Sequence, residues 1–307
     1  MKARRILIGG LPYFGRMLAG LLDGDGWEAR YIDPPGGSLA TWLAGAQALR
    51  QADIIYLIGG QLQRWSRPDV LMRLGKRPVV MHWVGSDVTF ARNVVRARRA
   101  SRALLRSPQH WAEVSWTARE LRELGVNAEI VPLTSTRIHA DVQPLPPDFT
   151  VLTYLPATRP DFYGRELVMR LAAETLEMRF LVVGSTGEGW NAPANVEFLG
   201  WRQEMDAVYA RSTALLRLPA HDGLSFMVLE ALAAGRYVFW NHPLEGVIQV
   251  SDANTAWTEL QRLLARHRSG RLELNEPGRS AVREHFAPER VRAEILGRFE
   301  RLMLVSP

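Results

Sequence analysis

Two acidic residues flank the start of a short helix in the second half of the chain. Asp222 lies in a loop, and Glu230 follows eight positions later, inside the helix that Ser225 is placed to cap. The backbone N–H groups of residues 223–226 lie at the helix N-terminus, where they can bind phosphate. A carboxylate further along can accept hydrogen bonds from ribose hydroxyls. The pattern therefore fits a nucleotide site, and it also fits an acidic cap followed by a solvent-facing glutamate.

Strands and helices alternate around this segment. The predicted strands of the second half are 150–154, 179–183, 196–198, 213–217 and 237–240, and its helices are 166–174, 205–211, 225–234, 254–266 and 288–304. Short apolar strands between helices predict a parallel sheet covered on both faces. Ligands of such sheets bind at the carboxyl ends of the strands.

The first half has the same alternation. Its predicted strands are 4–8, 28–32, 53–58, 78–83, 113–115 and 128–131, and its helices are 16–22, 40–50, 91–106 and 117–124. Pro144, Pro146 and Pro147 break the pattern and predict a linker. We therefore expect an α/β fold of two doubly wound Rossmann-like domains facing a cleft, over residues 1–143 and 149–286. A helix over 287–307 is expected to pack back toward the first domain.

The segment from Asp222 to Arg236, DGLSFMVLEALAAGR, resembles a motif of the family 4 glycosyltransferases and their GT-B relatives. That motif is an acidic residue, a turn rich in glycine and phenylalanine, a glutamate eight positions on, then alanine, a small residue, alanine, glycine and a strand. The upstream segments FLVVG at 180–184 and NVEFLGW at 195–201 also look like the family. The resemblance covers most of residues 148–304 and, more loosely, the first half.

The resemblance implies transfer of a sugar from a nucleoside diphosphate-sugar, with UDP favoured, to an acceptor hydroxyl. It implies retention of configuration and neither a metal site nor a cofactor. Glu230 would bind the donor ribose, Asp222 would face the sugar hydroxyls, and Gly200 would lie beside the base. The diphosphate would be held by the backbone of Gly223, Leu224, Ser225 and Phe226.

Two departures from the family pattern leave a second hypothesis open. The family has glutamate where this chain has Asp222, and it has a lysine where this chain has Tyr163. Arg159 or Arg165 is then the expected cation for the leaving phosphate. If neither serves, losing one such contact costs about 3–4 kcal/mol in the barrier. The alternative is a non-catalytic GT-B-like protein that binds a nucleotide, a glycan or a partner transferase.

The first half contributes two further candidates. His82 lies near a strand end, shortly before Gly85-Ser86-Asp87, and this segment resembles a strand-end segment found in several such enzymes. His82 is therefore expected to hold the transferred sugar. The alternative is a histidine packed within the strand. Gly10 follows the first strand, where the resemblance places a loop that reaches the donor. Asp33, 23 residues after Gly10, also permits a nicotinamide-binding interpretation, but the glycine spacing is wrong for it.

Charge is distributed unevenly between the two halves. Residues 1–145 carry 20 Lys+Arg and 12 Asp+Glu, a net +8, whereas the whole chain carries +6. Five arginines of the helix predicted over 91–106 share one face, and that face predicts peripheral contact with an anionic membrane, or else an ordinary solvated surface. These are Arg92, Arg96, Arg99, Arg102 and Arg106.

Composition narrows the protein class. The chain has no cysteine, which excludes disulfides and thiolate metal sites, and it has no run of about 18 apolar residues. A cytoplasmic protein with no nucleic-acid partner is therefore expected. The family resemblance, together with the arginine-rich helix, implies a glycan or lipid-linked acceptor at the inner membrane face.

Overall fold

A computed structural model describes residues 3–33, 39–74, 77–134, 138 and 142–305. The chain divides into two compact units, one formed by Met1–Thr136 together with Pro288–Pro307, the other by Arg137–Ala287. The first unit is thus assembled from two separate stretches of chain, whereas the second is continuous.

The described part of the first unit contains one sheet of six parallel strands. The strands are β1 (Arg4–Gly10), β2 (Trp27–Tyr31), β3 (Ile54–Ile58), β4 (Val79–Trp83), β5 (Gln109–Ala112) and β6 (Ala128–Ile130), in the spatial order β2-β1-β3-β4-β5-β6. The helices before the linker are α1 (Pro12–Leu22), α2 (Leu39–Gln51), α3 (Arg67–Leu74), α4 (Ser86–Arg96), α5 (Arg102–Arg106) and α6 (Ser115–Glu123). The chain reverses direction across the sheet at β1 and β3, so their carboxyl ends form a topological switch point.

The helix predicted over residues 91–106 is wrong as a single element. Helix α4 ends at Arg96, and Arg98 adopts a left-handed conformation with φ of 55°. Helix α5 then begins at Arg102, where the Ser101 side chain accepts a hydrogen bond from the Leu104 N–H. A left-handed residue followed by a new cap ends the α-helical periodicity, although the arginine spacing continues through it.

The predicted arginine stripe is therefore divided between two helices and a turn. Arg92 forms ion pairs with Glu120 at 3.4 Å and Glu123 at 3.8 Å, both on α6. Its charge is partly compensated within the unit, so the stripe is not a continuous cationic face.

The strand predicted over 113–115 is also wrong, because β5 lies earlier, at Gln109–Ala112. Its residues Trp111 and Ala112 are buried, and His110 is also buried, with a hydrogen bond from Trp83 Nε1 to its Nδ1 of 3.1 Å. Gln109 and His110 obscure the apolar run in the sequence, although tertiary contacts place both faces of the strand inside the protein.

The described part of the second unit holds a second sheet of six parallel strands. The strands are β7 (Thr150–Tyr154), β8 (Arg179–Val183), β9 (Val196–Gly200), β10 (Ala214–Arg217), β11 (Tyr237–Trp240) and β12 (Val247–Gln249), in the order β12-β11-β10-β7-β8-β9. A 3-10 turn at Pro160–Tyr163 precedes α7 (Arg165–Glu174), and α8 (Asp206–Ala210), α9 (Phe226–Ala233), α10 (Ala253–Arg268) and α11 (Glu276–His285) follow. The switch point of this sheet lies between β7 and β10. The two parallel sheets confirm the predicted α/β fold.

The core of the second unit forms between this sheet and its helices. Val151, Leu216 and Phe239 from three strands pack in one cluster with Leu171 of α7 and Leu260 of α10. All five are buried, as expected for the apolar runs and amphipathic helices from which they were predicted.

The proline segment that was expected to be a linker is attached to the second unit. Buried Arg236 donates hydrogen bonds to the carbonyls of Gln143, at 2.8 Å, and Pro144, at 3.1 Å. His267 Nε2 lies 2.9 Å from the Pro146 carbonyl. The boundary between the compact units accordingly precedes this segment.

The last helix, α12 (Pro288–Val305), completes the core of the first unit. Phe299 is buried against three rings: it stacks on Trp111 at 5.4 Å, meets Tyr56 edge to face at 5.2 Å and lies 6.2 Å from Trp27. Arg292 also donates to the Leu21 carbonyl at the end of α1. This helix is therefore an integral part of the first unit.

Candidate active site

The carboxyl edge of the second sheet gathers polar side chains at its switch point. Strand β7 ends at Tyr154, β10 ends at Arg217 and β11 ends at Trp240, while α9 begins at Phe226 just after the loop that follows β10. Parallel strands bring these ends to one edge, which is where open α/β sheets bind their ligands. The candidate site of the second unit is therefore this edge.

A buried ion pair occupies the loop after β10. Arg217 Nε lies 2.6 Å from one Asp222 carboxylate oxygen and Nη2 lies 3.0 Å from the other, with side chains only 11% and 12% exposed. Trp240 Nε1 donates a third hydrogen bond to Asp222, at 3.2 Å. Burial lowers the pKa of the Arg217 guanidinium, but the Asp222 carboxylate more than offsets this, so the net shift is upward. The Asp222 carboxylate thus stabilises the charged form of the Arg217 guanidinium.

This pairing changes the interpretation of Asp222. The sequence suggested a carboxylate directed at the donor sugar, or else an acidic helix cap. In the structure its two oxygens bind the Arg217 guanidinium in the bidentate manner typical of Arg–carboxylate pairs. The carboxylate thus fixes an arginine at the end of β10, and Asp222 becomes a residue that positions this cation.

Arg217 is the functional candidate that sequence reasoning missed. Its guanidinium carbon lies 5.7 Å from the ring centroid of Tyr163, the residue at the position where the family has a lysine. Tyr163 in turn meets Tyr154 edge to face at 5.1 Å. A cation supplied by strand β10 thus lies beside the position where the family has a lysine. The available signal was an arginine ending an otherwise apolar strand.

The two arginines proposed from the sequence have different surroundings. Arg165 is ion-paired with Asp161 at 2.9 Å and stacks over Trp190 at 5.4 Å, so its charge is already compensated. Arg159 is exposed, adopts a left-handed conformation with φ of 59° and lies over the Phe162 ring at 5.3 Å. Of these two, Arg159 is better placed to meet a ligand from solvent.

The helix that carries Glu230 begins as predicted. Ser225 is the N-cap residue of α9, but within the described residues its side chain makes no capping hydrogen bond. Gly223, Leu224 and Ser225 are buried and Phe226 is partly exposed. The positive end of the helix dipole therefore lies at the sheet edge, close to the end of β10 in the chain.

Glu230 is buried one turn into α9, which excludes the solvent-facing alternative. Its carboxylate accepts a hydrogen bond of 2.8 Å from the Tyr209 hydroxyl, at the end of α8. A buried carboxylate needs such partners, because an uncompensated charge inside a protein is costly. Tyr209 is a second residue that the sequence analysis did not identify.

The loops after β8 and β9 form another part of this edge. Gly200 has φ of 69°, and its carbonyl accepts a hydrogen bond of 2.9 Å from the Gly184 N–H. Gly184 also has a positive φ, and a Cβ there would lie 2.8 Å from the Tyr154 ring. Trp201 follows Gly200 with its side chain 76% exposed. A large apolar ring is thus presented to solvent directly beside the glycine that was predicted to lie near the base.

In the first unit, Gly10 lies at the switch point between β1 and β3. Its φ is 108°, and a Cβ would lie 1.9 Å from the Ile58 carbonyl oxygen, so the close approach of the two strands requires glycine. Asp33, the residue behind the nicotinamide interpretation, is ion-paired with Arg16 at 2.9 Å.

His82 does not lie where its predicted role requires. The ring is fully buried, with Nδ1 2.7 Å from the Tyr56 hydroxyl and the rings of Tyr56 and Trp111 each 5.9 Å away. Burial lowers its pKa to about 3, which Arg298 reinforces and the Val131 backbone opposes, so the ring is neutral at pH 7. All five residues of β4 are buried, and the structure therefore favours the packed strand histidine over a sugar-binding group.

Two properties of the described residues bear on the class of site. The described residues contain no cluster of three or more His, Asp or Glu that could hold a metal ion. Among them, too, no helix combines the length and apolar character needed to cross a membrane.

Comparison with known proteins identifies the fold. No family model and no curated protein matches the sequence. The solved structure of a sucrose-phosphate synthase from Thermosynechococcus elongatus matches with a TM-score of 0.76 at 15% identity, covering 99% of this chain and 100% of that one. Anabaena HepE, solved with UDP and glucose, matches with a TM-score of 0.71 at 12% identity, covering 97% and 100%.

A glycosyltransferase from Rickettsia africae matches with a TM-score of 0.71 at 10% identity, and the match covers all of both chains. These neighbours are glycosyltransferases, and their matches extend over nearly the whole of this chain, including the segments that form both of its parallel sheets. The chain therefore has the GT-B glycosyltransferase fold.

Proposed function

We propose that the protein transfers a sugar from a UDP-sugar to an acceptor hydroxyl, with retention of configuration and without a metal ion. The observation that carries this proposal is the buried Glu230, one turn inside a helix whose N-terminus lies at the sheet's carboxyl edge. The carboxylate is suited to the ribose hydroxyls and the helix N-terminus to a phosphate. UDP is favoured because HepE was solved with UDP and glucose, and a pneumococcal O-GlcNAc transferase with UDP and GlcNAc.

The site also offers positive charge for the leaving group. During transfer the anomeric carbon exchanges its bond to a diphosphate oxygen for a bond to the acceptor oxygen. Negative charge builds on the departing diphosphate, which accepts the proton that the acceptor hydroxyl loses. We assign its stabilisation to Arg217, with Arg159 and the start of α9, at Gly223 to Phe226, as further contributors. Asp222 keeps the Arg217 guanidinium in a fixed orientation. This arrangement would replace the lysine that the family has at the position of Tyr163.

The acceptor is proposed to be a glycan or a lipid-linked sugar of a cell-envelope polysaccharide, at the inner face of the membrane. Gly200 and Trp201 are proposed to contact the base, since the exposed indole offers a flat apolar surface to a stacked ring. His82 is left out of the proposed site because its ring is enclosed by aromatic side chains.

Ligand binding tests the donor site directly. Thermal unfolding is measured with UDP, UDP-glucose, UDP-N-acetylglucosamine, GDP-mannose and NAD, for the wild type, Glu230→Ala and the control Glu174→Ala on the exposed face of α7. A ligand at about 100 times its Kd should add roughly 2.7 kcal/mol. We expect UDP and its sugars to stabilise the wild type and the control but not Glu230→Ala. Equal UDP stabilisation of all three proteins would refute the Glu230 assignment, and stabilisation by NAD alone would favour the nicotinamide interpretation.

A non-catalytic protein with the same donor site is the second candidate. Tyr163 in place of a lysine, and an Asp222 carboxylate already bound to Arg217, both favour it. The distinguishing measurement is release of UDP from UDP-sugars with and without sugar acceptors. Binding without any release, under conditions where the Glu230 variant loses binding, would establish this candidate in place of the enzyme.

A further inference from the structure

One surface of the first unit combines exposed arginines with an exposed tryptophan. We refer to it as the Trp65 surface, and its members are Arg64, Trp65, Arg67, Arg98, Arg99 and Arg102. None of them belongs to the proposed donor site, which lies in the second unit. The surface shares Arg99 and Arg102 with the arginine stripe predicted from sequence, but its other members do not belong to that stripe.

Backbone pairing brings these residues together from two distant segments. Gln63 and Ala100 form an antiparallel bridge, and the Arg64 N–H donates to the Arg99 carbonyl at 2.9 Å. Antiparallel pairing then places Trp65 opposite Arg98. Arg98 and Arg99 of the turn between α4 and α5 therefore lie on a segment whose backbone pairs with that of Arg64 and Trp65.

A buried carboxylate holds these two segments together from the interior of the first unit. Asp69 is fully buried and accepts hydrogen bonds from the Trp65 N–H at 2.8 Å and from the Ser101 hydroxyl, while Arg73 is ion-paired with it at 3.2 Å. Since Asp69 ties both segments together, the surface has a defined geometry.

Two residues of the surface have an unfavourable backbone conformation. Trp65 has φ of 62° and Arg98 has φ of 55°. For a bulky side chain this conformation is an outlier, and backbone strain of this kind tends to occur at functional sites. The Trp65 side chain is nevertheless 74% exposed, with the Arg73 guanidinium 5.3 Å from its ring centroid. The fold therefore holds a large apolar ring in solvent, although burial would be favourable.

The charge around this ring is almost entirely positive. Residues 60–110 contain 11 Lys+Arg but only Asp69 and Asp87 as acids, a net charge of +9 that exceeds that of the whole chain. Both acids are engaged inside the fold: Asp69 as described, and Asp87 by three backbone N–H groups. The exposed charge of the Trp65 surface is therefore not compensated by acidic side chains of its own segment.

We propose that the Trp65 surface binds an anionic lipid bilayer. Arginines near a negatively charged membrane are attracted to its headgroups, and tryptophan is the side chain best suited to the boundary between headgroups and acyl chains. An ordinary solvated face would carry the arginines but would not explain a strained, outward-facing indole among them. The whole chain would thus be held at a membrane by its first unit, independently of whether a sugar donor is bound.

Vesicle co-sedimentation of the full-length protein tests this proposal. Vesicles of phosphatidylcholine mixed with phosphatidylglycerol are compared with phosphatidylcholine alone, at low and high salt. We expect binding to the anionic vesicles only, and weaker binding at high salt. The triple variant R98Q/R99Q/R102Q should lower the partition coefficient about a hundredfold, since each arginine contributes a factor of about five. W65A should lower it about tenfold, for roughly 60 Å² of apolar surface removed from water.

Matched variants control for net charge and for loss of any exposed tryptophan. R268Q/R283Q/R290Q removes three exposed arginines elsewhere, and W257A removes an exposed tryptophan of α10. Both should bind vesicles within about twofold of the wild type. Unfolding temperatures show whether each variant is folded. The salt and lipid dependence is measured on the wild type, so that part of the test does not depend on the folding of any variant. Equal binding to neutral vesicles, equal losses in the control variants, or binding of a single-stranded RNA homopolymer without vesicle binding would each overturn the proposal.

Discussion

The Arg217–Asp222 pair allows a quantitative test of the candidate site. Asp222→Asn removes the negative charge but keeps a carbonyl oxygen that can accept the Trp240 Nε1–H. Arg217 is then a buried cation without its carboxylate, and breaking a buried pair in this way costs about 3–5 kcal/mol. The control, Glu174→Gln, removes the exposed Arg170–Glu174 pair of α7, for which a much smaller loss of stability is expected because solvent screens the two charges.

Chemical denaturation of the wild type and these variants gives the free energies of unfolding. The double variant R217M/D222N should be far more stable than D222N, since replacing both partners of a buried pair leaves no uncompensated charge. If D222N and E174Q lose equal amounts of stability, the pair is not buried in the way the structure indicates, and the reasoning is refuted.

The same variants distinguish the two roles that have been considered for Asp222. If Arg217 binds the diphosphate, UDP supplies the missing negative charge, and D222N should gain more stability from UDP than the wild type does. R217M should lose at least tenfold in UDP affinity, equivalent to about 1.4 kcal/mol. If Asp222 instead faces the donor sugar, D222N would bind UDP normally and lose only the preference for one UDP-sugar over another.

Three further predictions concern single residues. Tyr209→Phe should cost about 1.5–3 kcal/mol of stability and weaken UDP binding, since Glu230 loses the hydrogen bond from the Tyr209 hydroxyl; unchanged UDP titrations would contradict a positioning role. Burial holds the pKa of His82 at about 3, below its usual 6.5, so stability is complete above pH 6.5 and decreases toward pH 3 by up to about 1.4 kcal/mol per pH unit. His82→Gln should show a correspondingly flatter pH dependence in denaturant titrations, and an identical slope would argue against a buried neutral ring. Gly10→Ala should destabilise the protein by more than about 1 kcal/mol. Gly20→Ala in α1, where a Cβ meets no atom within 4 Å, should instead stabilise it by about 1 kcal/mol. Calorimetric unfolding midpoints that move in the same direction for both variants would contradict this.

The strands of the second unit illustrate what local sequence could predict. The strands predicted over 150–154, 179–183 and 237–240 have the predicted bounds, because short apolar runs between helices are typical of strands that are buried on both faces. The helix of Glu230 was also predicted to within one residue at either end, owing to the cap at Ser225 and the glycine at 235.

Other features depend on contacts that no local pattern contains. The arginine spacing continues through Arg98, so periodicity alone could not show that the chain turns there and pairs with Gln63, far away in the sequence.

Helix α11, in contrast, did have a local signal that was missed. Asn275 precedes Glu276-Pro277, and its side chain caps the helix by accepting the Gly278 N–H.

The candidate site shows the same limit. The acidic position and its spacing to Glu230 were evident from the sequence, but the partners that define their chemistry were not. Arg217 contacts Asp222 only because the loop after β10 folds back, and Tyr209 reaches Glu230 from a separate helix. Residue spacing could thus suggest a candidate site, whereas the pairing of charges within it depends on tertiary structure.

The way in which α12 completes the first unit has a consequence for the order of folding. The second unit is a continuous stretch that precedes α12 in the chain, so all of it is synthesised before Phe299. During synthesis the first unit therefore exposes Trp27, Tyr56 and Trp111, the rings that Phe299 covers. The unit encoded first is the last to acquire its complete core, and the nascent chain is most dependent on protection from aggregation at its amino-terminal half.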